Sequence, residues 1–275
     1  LPKPSLQSQS NLRVSEIRIV TDNFDGTANT GVRSMTDALG QRAVFSVVLP
    51  ATNSIVEPDM AAMCPLGVSN QTFRFPFPAR PDSLDDLMDL MRPTVALALD
   101  CQPDRIVVPY TTEFLSDGTT AASRLRSFIE DTVRRPTTMA SDAVPEALKS
   151  MGTRRIGIVT PYQPKVNRNV EAYFTALGFS VADVVGLYTP HKGLIDTARI
   201  SMPKVRDAFV RVDAADVEAL VQVGTNLACA GFSAEVEECH GKPVVPVNTA
   251  TYWMALRSHG IADRLDGHGA LLAHH

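Results

Sequence analysis

Long apolar segments are missing from this sequence of 275 residues. No stretch approaches the roughly 18 consecutive apolar residues that a membrane-spanning helix needs, and the first residues lack the basic-then-apolar plan of a secretory signal. We therefore expect a soluble protein with no membrane partner, and the cytoplasm is its expected location.

Cysteine is also scarce, and its spacing argues against a structural metal. The four cysteines form no CxxC pair and have no histidine at zinc-ligand spacing; they are Cys64, Cys101, Cys229 and Cys239. Each is expected to be a small buried hydrophobic residue, and no metal site is predicted.

Clusters of basic residues are absent as well. The chain has 26 Lys and Arg against 30 Asp and Glu, which gives a net charge of −4, and its cations are scattered. An extended nucleic-acid surface needs a basic stripe, so we expect no nucleic-acid partner. The remaining expectation is a small-molecule partner.

The sequence does contain short apolar runs that alternate with helix-like segments. The runs are residues 16–20, 44–50, 104–110, 155–161, 179–187 and 218–224. Between them, residues 83–99 and 121–135 have the i, i+3, i+4 spacing of amphipathic helices. Strands that alternate with helices predict an α/β fold in which parallel sheets are flanked by helices.

An internal repeat divides the chain into two related halves. An offset of 111, which places Pro50 over Pro161, aligns FSVVLPATNSIVEPDM with IGIVTPYQPKVNRNVE, and an offset of 114 aligns IVVPYTT with LVQVGTN. Ligands of open α/β sheets bind beyond the carboxyl ends of the strands. We therefore predict two pseudo-symmetric α/β domains with the active site in the cleft between them.

The repeat also predicts the domain organisation. Residues 1–40 form an N-terminal extension, residues 41–125 together with 245–273 form the first α/β domain, and residues 126–244 form the second. A homo-oligomer is one option for the assembly.

Hydrogen-bonding residues stand at the ends of the matched strands. They are Tyr110, Thr111 and Thr112 in the first half and Gly224, Thr225 and Asn226 in the second. In one interpretation they cap the following helices; in the other they hold a carboxylate or oxyanion with the help of the first-turn N–H groups. Asn53 and Tyr162, in corresponding turns, can donate further hydrogen bonds to such a group, whereas Asn167 is either a site residue or an exposed helix residue.

Few residues are placed to transfer a proton. Glu113 follows a strand directly, where it is either a proton-transfer group or an ordinary acid that complements the dipole of a helix N-terminus. His191 and Cys229 are further candidates, because Cys229 is predicted in a first helical turn that would lower the pKa of its thiol. Both also suit plain packing roles.

Several segments together resemble a known family. VVLPATNSIVEPDM, RIGIVTPYQPKVNRNVEAYFTALGF, VQVGTNL and GKPVVPVNTATYWMALRSHGI are similar to the aspartate/glutamate racemase superfamily, in the branch of maleate cis-trans isomerase and arylmalonate decarboxylase. The resemblance extends from about residue 43 to residue 269. It implies two pseudo-symmetric α/β domains, an active site between them, and no metal or organic cofactor.

The resemblance also implies roles for individual residues. Typical members carry a catalytic cysteine at a strand end in each half, and the equivalent positions here are Tyr110 and Gly224. Thr111 and Thr112 match a Thr-Ser pair that holds an enediolate-like oxyanion, and Tyr162 matches a tyrosine of the same pocket. Asn53 matches a substrate-binding asparagine, and Asn226 lies beside the second site. With both cysteines replaced, Glu113, Tyr110 or a bound water would have to protonate the carbanion, and Glu113, Tyr110 and Tyr162 are the catalytic candidates among the residues.

The expected function is therefore that of a cofactor-independent, decarboxylase-like lyase. It would act on a small carboxylic acid through a stabilised enediolate, since such stabilisation is the largest contribution a site of this kind makes. Two alternatives stay open: an isomerase or racemase of a small carboxylate that uses a non-cysteine base, and a non-catalytic carboxylate-binding protein.

Overall fold

The computed structural model describes residues 39–77, 83–188 and 193–275, and these contain two parallel sheets of four strands. The first sheet has the order β2-β1-β3-β4, with β1 Ala43–Pro50, β2 Val68–Phe75, β3 Arg105–Val108 and β4 Thr137–Met139. The second has the order β6-β5-β7-β8, with β5 Arg155–Thr160, β6 Ser180–Gly186, β7 Ala219–Gln222 and β8 Val244–Pro246. The predicted fold class, two α/β halves built to one plan, is confirmed.

Helices connect the strands in both halves. In the first half they are α1 Val56–Ala62, α2 Leu84–Leu97, α3 Gly118–Val133 and α4 Ala140–Ser150. In the second they are α5 Pro164–Ala176, α6 Met202–Val212, α7 Ser233–His240, α8 Val247–Ser258 and α9 Ala270–His274, with short 3-10 helices at Leu194–Arg199 and Ala230–Phe232. Both predicted amphipathic helices are present, as α2 and α3.

Local sequence fixes the beginnings of two of these helices. Ser83 accepts a hydrogen bond from the backbone N–H of Asp86 at 3.1 Å and so caps α2, whose first turn is acidic. α5 begins with Pro164, whose missing N–H would have no partner at that position in any case.

The strands separate an inner core from two outer ones. Along β1, Phe45 and Val47 contact a core that both sheets share, whereas Val48 contacts the outer core under α2 and α3. The second sheet repeats this, since Ile158 belongs to the shared core and Val159 to the outer core under α6 and α7. This period of two is the pleat of a strand that is buried on both faces.

The shared core depends on two helices that follow the last strands of the sheets. α8 continues from β8 of the second sheet, yet its Tyr252 packs edge-to-face on Phe45 of the first sheet, with 6.3 Å between the ring centroids. The amide of Asn70 in β2 donates to the Tyr252 hydroxyl at 3.0 Å. α4, which follows β4, packs against α8 and contacts β8. Each half thus covers part of the other.

The sequence pattern missed three strands. β2 is a half-buried edge strand of mixed polarity, and β4 and β8 have only three residues each, too few to show a period. The predicted strand at residues 16–20 lies outside the described residues, as does the N-terminal extension apart from Leu39 and Gly40. The domain boundaries at residues 125 and 245 stay predictions; β4 of the first sheet lies beyond the first of them.

Within the described ranges, no helix has both the length and the apolar character needed to cross a membrane.

Candidate active site

The carboxyl ends of four central strands meet at one cavity of about 90 Å³. Its walls are the loops after β1, β3, β5 and β7, together with Phe77 and two residues of the first 3-10 helix. The loop residues are Pro50, Thr52, Asn53, Tyr110, Thr111, Phe114, Pro161, Tyr162, Gly224, Thr225 and Asn226. Seven of the ten site residues predicted from sequence therefore lie together in one cavity.

Asn53 supports the wall from the first half. Its Oδ1 accepts hydrogen bonds from the backbone N–H groups of Ile55 and Val56, both at 3.0 Å, and so satisfies donors at the start of α1. Its Nδ2 donates to Thr225 Oγ1 of the second half at 3.1 Å. An amide nitrogen carries two hydrogens, so Asn53 can bridge the halves and still donate to a ligand. Thr225, whose Oγ1 accepts here, keeps its own hydroxyl hydrogen for donation.

The side-chain amide of Asn226 joins its own loop to the loop after β1 and to the first 3-10 helix. Its Oδ1 accepts from the backbone N–H of Ser54 at 2.9 Å, and its Nδ2 donates to the carbonyls of Thr52 at 3.3 Å and Leu194 at 3.2 Å. Both hydrogens of its Nδ2 are therefore directed to protein carbonyls. Asn226 thus lines the cavity, and its amide stabilises the loops that form the cavity wall.

The loop after β3 divides its predicted residues between cavity and core. Tyr110 and Thr111 line the cavity, whereas Thr112 is fully buried and donates from Oγ1 to the carbonyl of Gly118 at 2.8 Å. The backbone N–H of Thr112 donates to Ser141 Oγ at 3.1 Å, which ties the loop to α4. Thr112 therefore stabilises the loop and does not line the cavity.

The helix-cap interpretation of both strand ends is wrong. α3 begins at Gly118, and the 3-10 helix after β7 begins at Ala230, so each threonine lies several residues before a helix. The loops curve into the cavity first, which is why their side chains line it. For the same reason the prediction that Glu113 is a first-turn helix acid is wrong.

Glu113 is buried beside the cavity rather than in its lining. Only 2% of its surface is exposed, and its charge lies near Tyr173 of α5. Burial is the main reason that the pKa of Tyr173 is raised, and the Glu113 charge is the second. Glu113 is not among the residues that line the cavity, and its role as the proton donor stays a prediction.

Four aromatic rings run along the cavity wall from one half to the other. Tyr110 packs against Phe77 and Phe114 with centroid distances of 6.1 Å in both pairs, and Phe114 is again 6.1 Å from Tyr162. Edge-to-face and tilted contacts at these distances are favourable and hold ring orientation. Phe114 therefore lies between the two tyrosines that line the cavity.

Tyr162 is held by a tight turn at the end of β5. Its backbone N–H donates to Thr160 Oγ1 at 3.0 Å, and the same hydroxyl donates to Asn167 Oδ1 at 2.7 Å. Asn167 is buried under this turn and does not line the cavity. It supports Tyr162 through Thr160, and its predicted substrate-binding role stays a prediction.

Gly224 has a backbone conformation and surroundings that exclude a side chain. Its φ is +91°, and a β-carbon there would lie 2.6 Å from Cγ and Cδ of Pro161 and 3.6 Å from the Tyr162 hydroxyl. Carbon atoms at 2.6 Å overlap. The space beside the end of β7 is thus occupied by the Pro161 ring, with the Tyr162 hydroxyl next to it.

Asp59 and Asn248 form a buried pair behind the cavity that the sequence analysis did not identify. Asn248 Nδ2 donates to Asp59 Oδ2 at 2.8 Å and to the carbonyl of Thr225 at 3.0 Å. Burial raises the pKa of Asp59 to about 6, against the opposing effect of the Asn248 hydrogen bond. The sequence could have indicated Asn248, because this residue follows the end of β8 as Thr225 follows the end of β7.

None of the four cysteines lines the cavity. Cys229 is fully buried, and this burial, followed by the charges of Asp59 and Glu237, raises the pKa of its thiol well above the ordinary value. The predicted lowering of that pKa is wrong. His191 lies outside the described residues. In the described part of the chain, no group of three or more His, Cys, Asp or Glu side chains is arranged to hold a metal ion.

Comparison with known proteins gives a family match for most of this structure. Residues 94–272 match the family model described as arylmalonate decarboxylase. The match begins in α2, so it includes the loops after β3, β5 and β7, whereas Asn53 precedes it. The chain is also 26% identical over 155 residues to the maleate isomerase of Alcaligenes faecalis, and this match covers 55% of the chain but only 60% of that curated relative.

Solved structures have the same fold. The maleate cis-trans isomerase of Nocardia farcinica bound to TRIS has a TM-score of 0.76 at 23% identity, over 84% of this chain and 97% of that one. Unliganded arylmalonate decarboxylase has a TM-score of 0.69 at 20% identity, over 83% of this chain and 97% of that one. At such identities the likeness concerns the fold.

Proposed function

Because the chain belongs to the arylmalonate decarboxylase family, we propose that it is a cofactor-independent lyase that removes carbon dioxide from a small carboxylic acid through an enediolate. The observation that carries this proposal is the cavity between the halves. It is lined by neutral hydrogen-bond donors and has no Lys, Arg or His among its described lining residues. The relatives that match the chain are named as decarboxylases and isomerases, which supports an enzyme of the lyase or isomerase class.

The donors suit an anion whose charge spreads during the reaction. Asn53 Nδ2 and the Thr225 hydroxyl face one another across the two halves, and Thr111 lines the same cavity. Fixed donors in a site with little water stabilise a developing oxyanion without having to reorganise. As the carbon–carbon bond to the leaving carboxylate breaks, carbon dioxide departs and the electron pair passes into the enediolate that these donors hold.

Tyr162 is the residue we assign to the final proton transfer. Its hydroxyl lies beside the end of β7, facing the position that a side chain of residue 224 would otherwise occupy. Tyrosine hydroxyls in general keep their proton at neutral pH and can therefore donate it to a far more basic carbon. The α-carbon gains this proton, the enediolate returns to a carboxylate, and water reprotonates the phenolate. Tyr110 is the second candidate donor.

One observation favours an isomerase or racemase as a second candidate. Tyr110 comes from the first half and Tyr162 from the second, and both line the cavity on either side of Phe114. A two-base reaction requires two proton-transfer groups, and the two halves supply one tyrosine each to this cavity. A cavity with donors but no proton transfer would instead make the protein a carboxylate binder.

A single assay separates these functions. We expect NMR in D₂O to show decarboxylation with deuterium incorporated at the α-carbon for a substituted malonate, tested beside maleate, amino acids and hydroxy acids. Tyr162→Phe should lower kcat by about 10²- to 10⁴-fold, as expected for loss of a general acid, and Tyr110→Phe, which removes the second candidate hydroxyl from the same cavity, should lower it less. Full activity of Tyr162→Phe would refute the assignment. Exchange or isomerisation without loss of carbon dioxide would favour the second candidate, and binding without turnover would favour a binder.

A further inference from the structure

A short chain of hydrogen bonds leads from the wall of the cavity to an acid on α1. The carbonyl of Thr225, in the loop after β7, accepts from Asn248 Nδ2 at 3.0 Å, and the same nitrogen donates to Asp59 Oδ2 at 2.8 Å. Both hydrogens of this amide are therefore used. Asn248 is buried, whereas Asp59 keeps part of its surface exposed and can exchange a proton with water. The acid is thus linked to the cavity wall through Asn248.

The first half of the protein has a related contact. Asn248 is the second residue of α8, which follows β8, and Ser141 is the second residue of α4, which follows β4. Ser141 Oγ accepts at 3.1 Å from the backbone N–H of Thr112, in the loop after β3. In both halves, the second residue of the helix after the last strand therefore holds the backbone of a strand-end loop. In the second half this contact also includes an acid.

Thr225 is the residue whose position depends on this contact. Its carbonyl is held by Asn248, and its Oγ1 accepts from Asn53 Nδ2 of the first half at 3.1 Å. The proposed function uses the Thr225 hydroxyl and Asn53 Nδ2 to stabilise the enediolate. Because a displacement of about 1 Å in a reaction site can cost about 10²-fold in rate, the hold on the Thr225 carbonyl bears on the reaction.

The protonation state of Asp59 decides which atoms of the Asn248 amide it binds. An ionised carboxylate can only accept, so it binds Nδ2, and hydrogen bonds to an ionised acceptor are roughly twice as strong as neutral ones. A protonated carboxyl group also donates, and Asn248 Oδ1 is available to it. That oxygen is buried and receives no hydrogen bond from residues 39–77, 83–188 and 193–275. Protonation therefore weakens the hold on Nδ2 and draws the acid toward Oδ1.

Three elements pack against α1: β2, α8 and the second 3-10 helix. From β2, Arg74 forms an ion pair with Glu57 of α1 itself. Beside the 3-10 helix, burial, followed by the Asp59 charge, raises the pKa of the Cys229 thiol well above its ordinary value. α8 carries the phenol of Tyr252, whose pKa is also raised by burial. Burial raises the pKa of Asp59 to about 6, so its charge changes around that pH.

We propose that Asp59 is a positioning residue of the reaction, and that its ionised carboxylate holds Thr225 in place through Asn248. The site is fully assembled only when Asp59 is charged, so turnover rises as this acid loses its proton. Acids whose charged form is disfavoured by burial are frequent at functional sites. The proposal rests on the proposed function, because it requires Thr225 to stabilise the enediolate.

NMR of the side-chain amides tests the link between Asp59 and the cavity without turnover. We expect the Nδ2 signals of Asn248 and Asn53 to shift together as Asp59 titrates, with a midpoint at about pH 6. In Asp59→Asn neither signal should titrate. Asp207→Asn, on the exposed face of α6, is the matched control and should leave both titrations unchanged. An Asn53 signal that does not follow that of Asn248 would overturn the proposal.

The pH dependence of kcat tests the effect on the reaction. With a substituted malonate, the carboxyl groups of the substrate titrate in both proteins, so the ratio of wild-type kcat to that of Asp59→Asn isolates residue 59. Asparagine both accepts and donates, as the protonated acid does. The ratio should therefore rise from about one at pH 5 to about five at pH 8, because the ionised acceptor binds Nδ2 more strongly. KM should change less, since the enediolate charge develops only in the transition state.

A second variant removes the link itself. Asn248→Ala should lower kcat at pH 8 by about 10- to 10²-fold, and its kcat should follow the pH dependence of Asp59→Asn. Asp59→Asn retains an acceptor of the same shape, so the test does not depend on whether Asn248→Ala folds.

Two kinetic outcomes would overturn the proposal. One is a ratio that is the same at pH 5 and pH 8. The other is a ratio that falls as the pH rises, because Asp59 would then act by repelling the bound anion. Failure of the proposed function is recognised separately, since the wild-type protein then decarboxylates no malonate. In that case a joint titration of the Asn53 and Asn248 signals still supports the hold on Thr225, and independent signals refute it.

Discussion

Replacing Asp59 with asparagine should stabilise the protein at neutral pH. The carboxyl group is buried beside Asn248, and burial raises its pKa from 3.8 to about 6. An amide of the same shape can accept from Asn248 Nδ2 as the carboxylate does. It can also donate to Asn248 Oδ1, which is buried and receives no hydrogen bond within the described part of the chain.

The size and sign of the effect follow from the shift. Because the pKa of Asp59 is raised in the folded state, its contribution to the free energy of unfolding is fully present below pH 3.8. This contribution is lost as the pH rises through about 6. The shift of about two units corresponds to about 3 kcal/mol of unfolding free energy. Since asparagine does not titrate, the stability difference between Asp59→Asn and wild type should grow by about 2–3 kcal/mol between pH 4 and pH 8.

Urea unfolding measures this difference directly. Trp253 is the single tryptophan of the chain and reports on α8, so its fluorescence follows the loss of the shared core. Asp207→Asn, on the exposed face of α6, is the matched control and should change the free energy of unfolding by no more than about 0.5 kcal/mol. A stability difference that is the same at pH 5 and pH 8, or a variant less stable than wild type at pH 8, would refute the reasoning.

Two further predictions concern residues around the cavity. Gly224→Ala should destabilise the protein by about 2–5 kcal/mol in urea unfolding, because a left-handed backbone strains alanine and its β-carbon overlaps Pro161. The control Gly178→Ala has a similar φ of +90° but open space, so it should cost only about 1–2 kcal/mol; equal losses would contradict the overlap. At pH 8, a thiol reagent should label the exposed Cys239 rapidly and Cys229 only after unfolding, because burial hides the Cys229 thiol and raises its pKa. Mass spectrometry that finds Cys229 labelled as fast as Cys239 would contradict this.

The architecture was predictable because it depends on apolar runs and their repetition. Four strands are buried on both faces, and their sequences are therefore mostly continuous apolar stretches: β1, β3, β5 and β7. The edge strand β2 carries Ser, Asn, Gln and Thr, so it shows neither such a run nor a clear alternation. Fully buried central strands are visible to pattern analysis, and short or edge strands are not.

The site was predictable in position but not in the direction of every side chain. The strand-end rule brought Asn53, Tyr110 and Tyr162 to one cavity, since it needs only the topology. It failed for Thr112 and Glu113, because their side chains turn into the core within an irregular loop. It also missed Asp59, whose proximity to Asn248 comes from the packing of α1 beside α8, on segments 189 residues apart.

Each half of the protein is covered in part by a helix of the other half, so the cavity is completed only late in the synthesis of the chain. Asn70 meets the Tyr252 hydroxyl across 182 residues of chain, and Arg105 donates to the Ser258 carbonyl at 3.1 Å across 153. Until α8 has left the ribosome, Phe45 lacks its edge-to-face contact with Tyr252, and the Thr225 carbonyl lacks the hydrogen bond that Asn248 Nδ2 donates to it. A protein that lacks its C-terminal segment would therefore lose both the shape of the cavity and the helix α8 that packs on its first sheet. This would happen even though every residue before β8 is present.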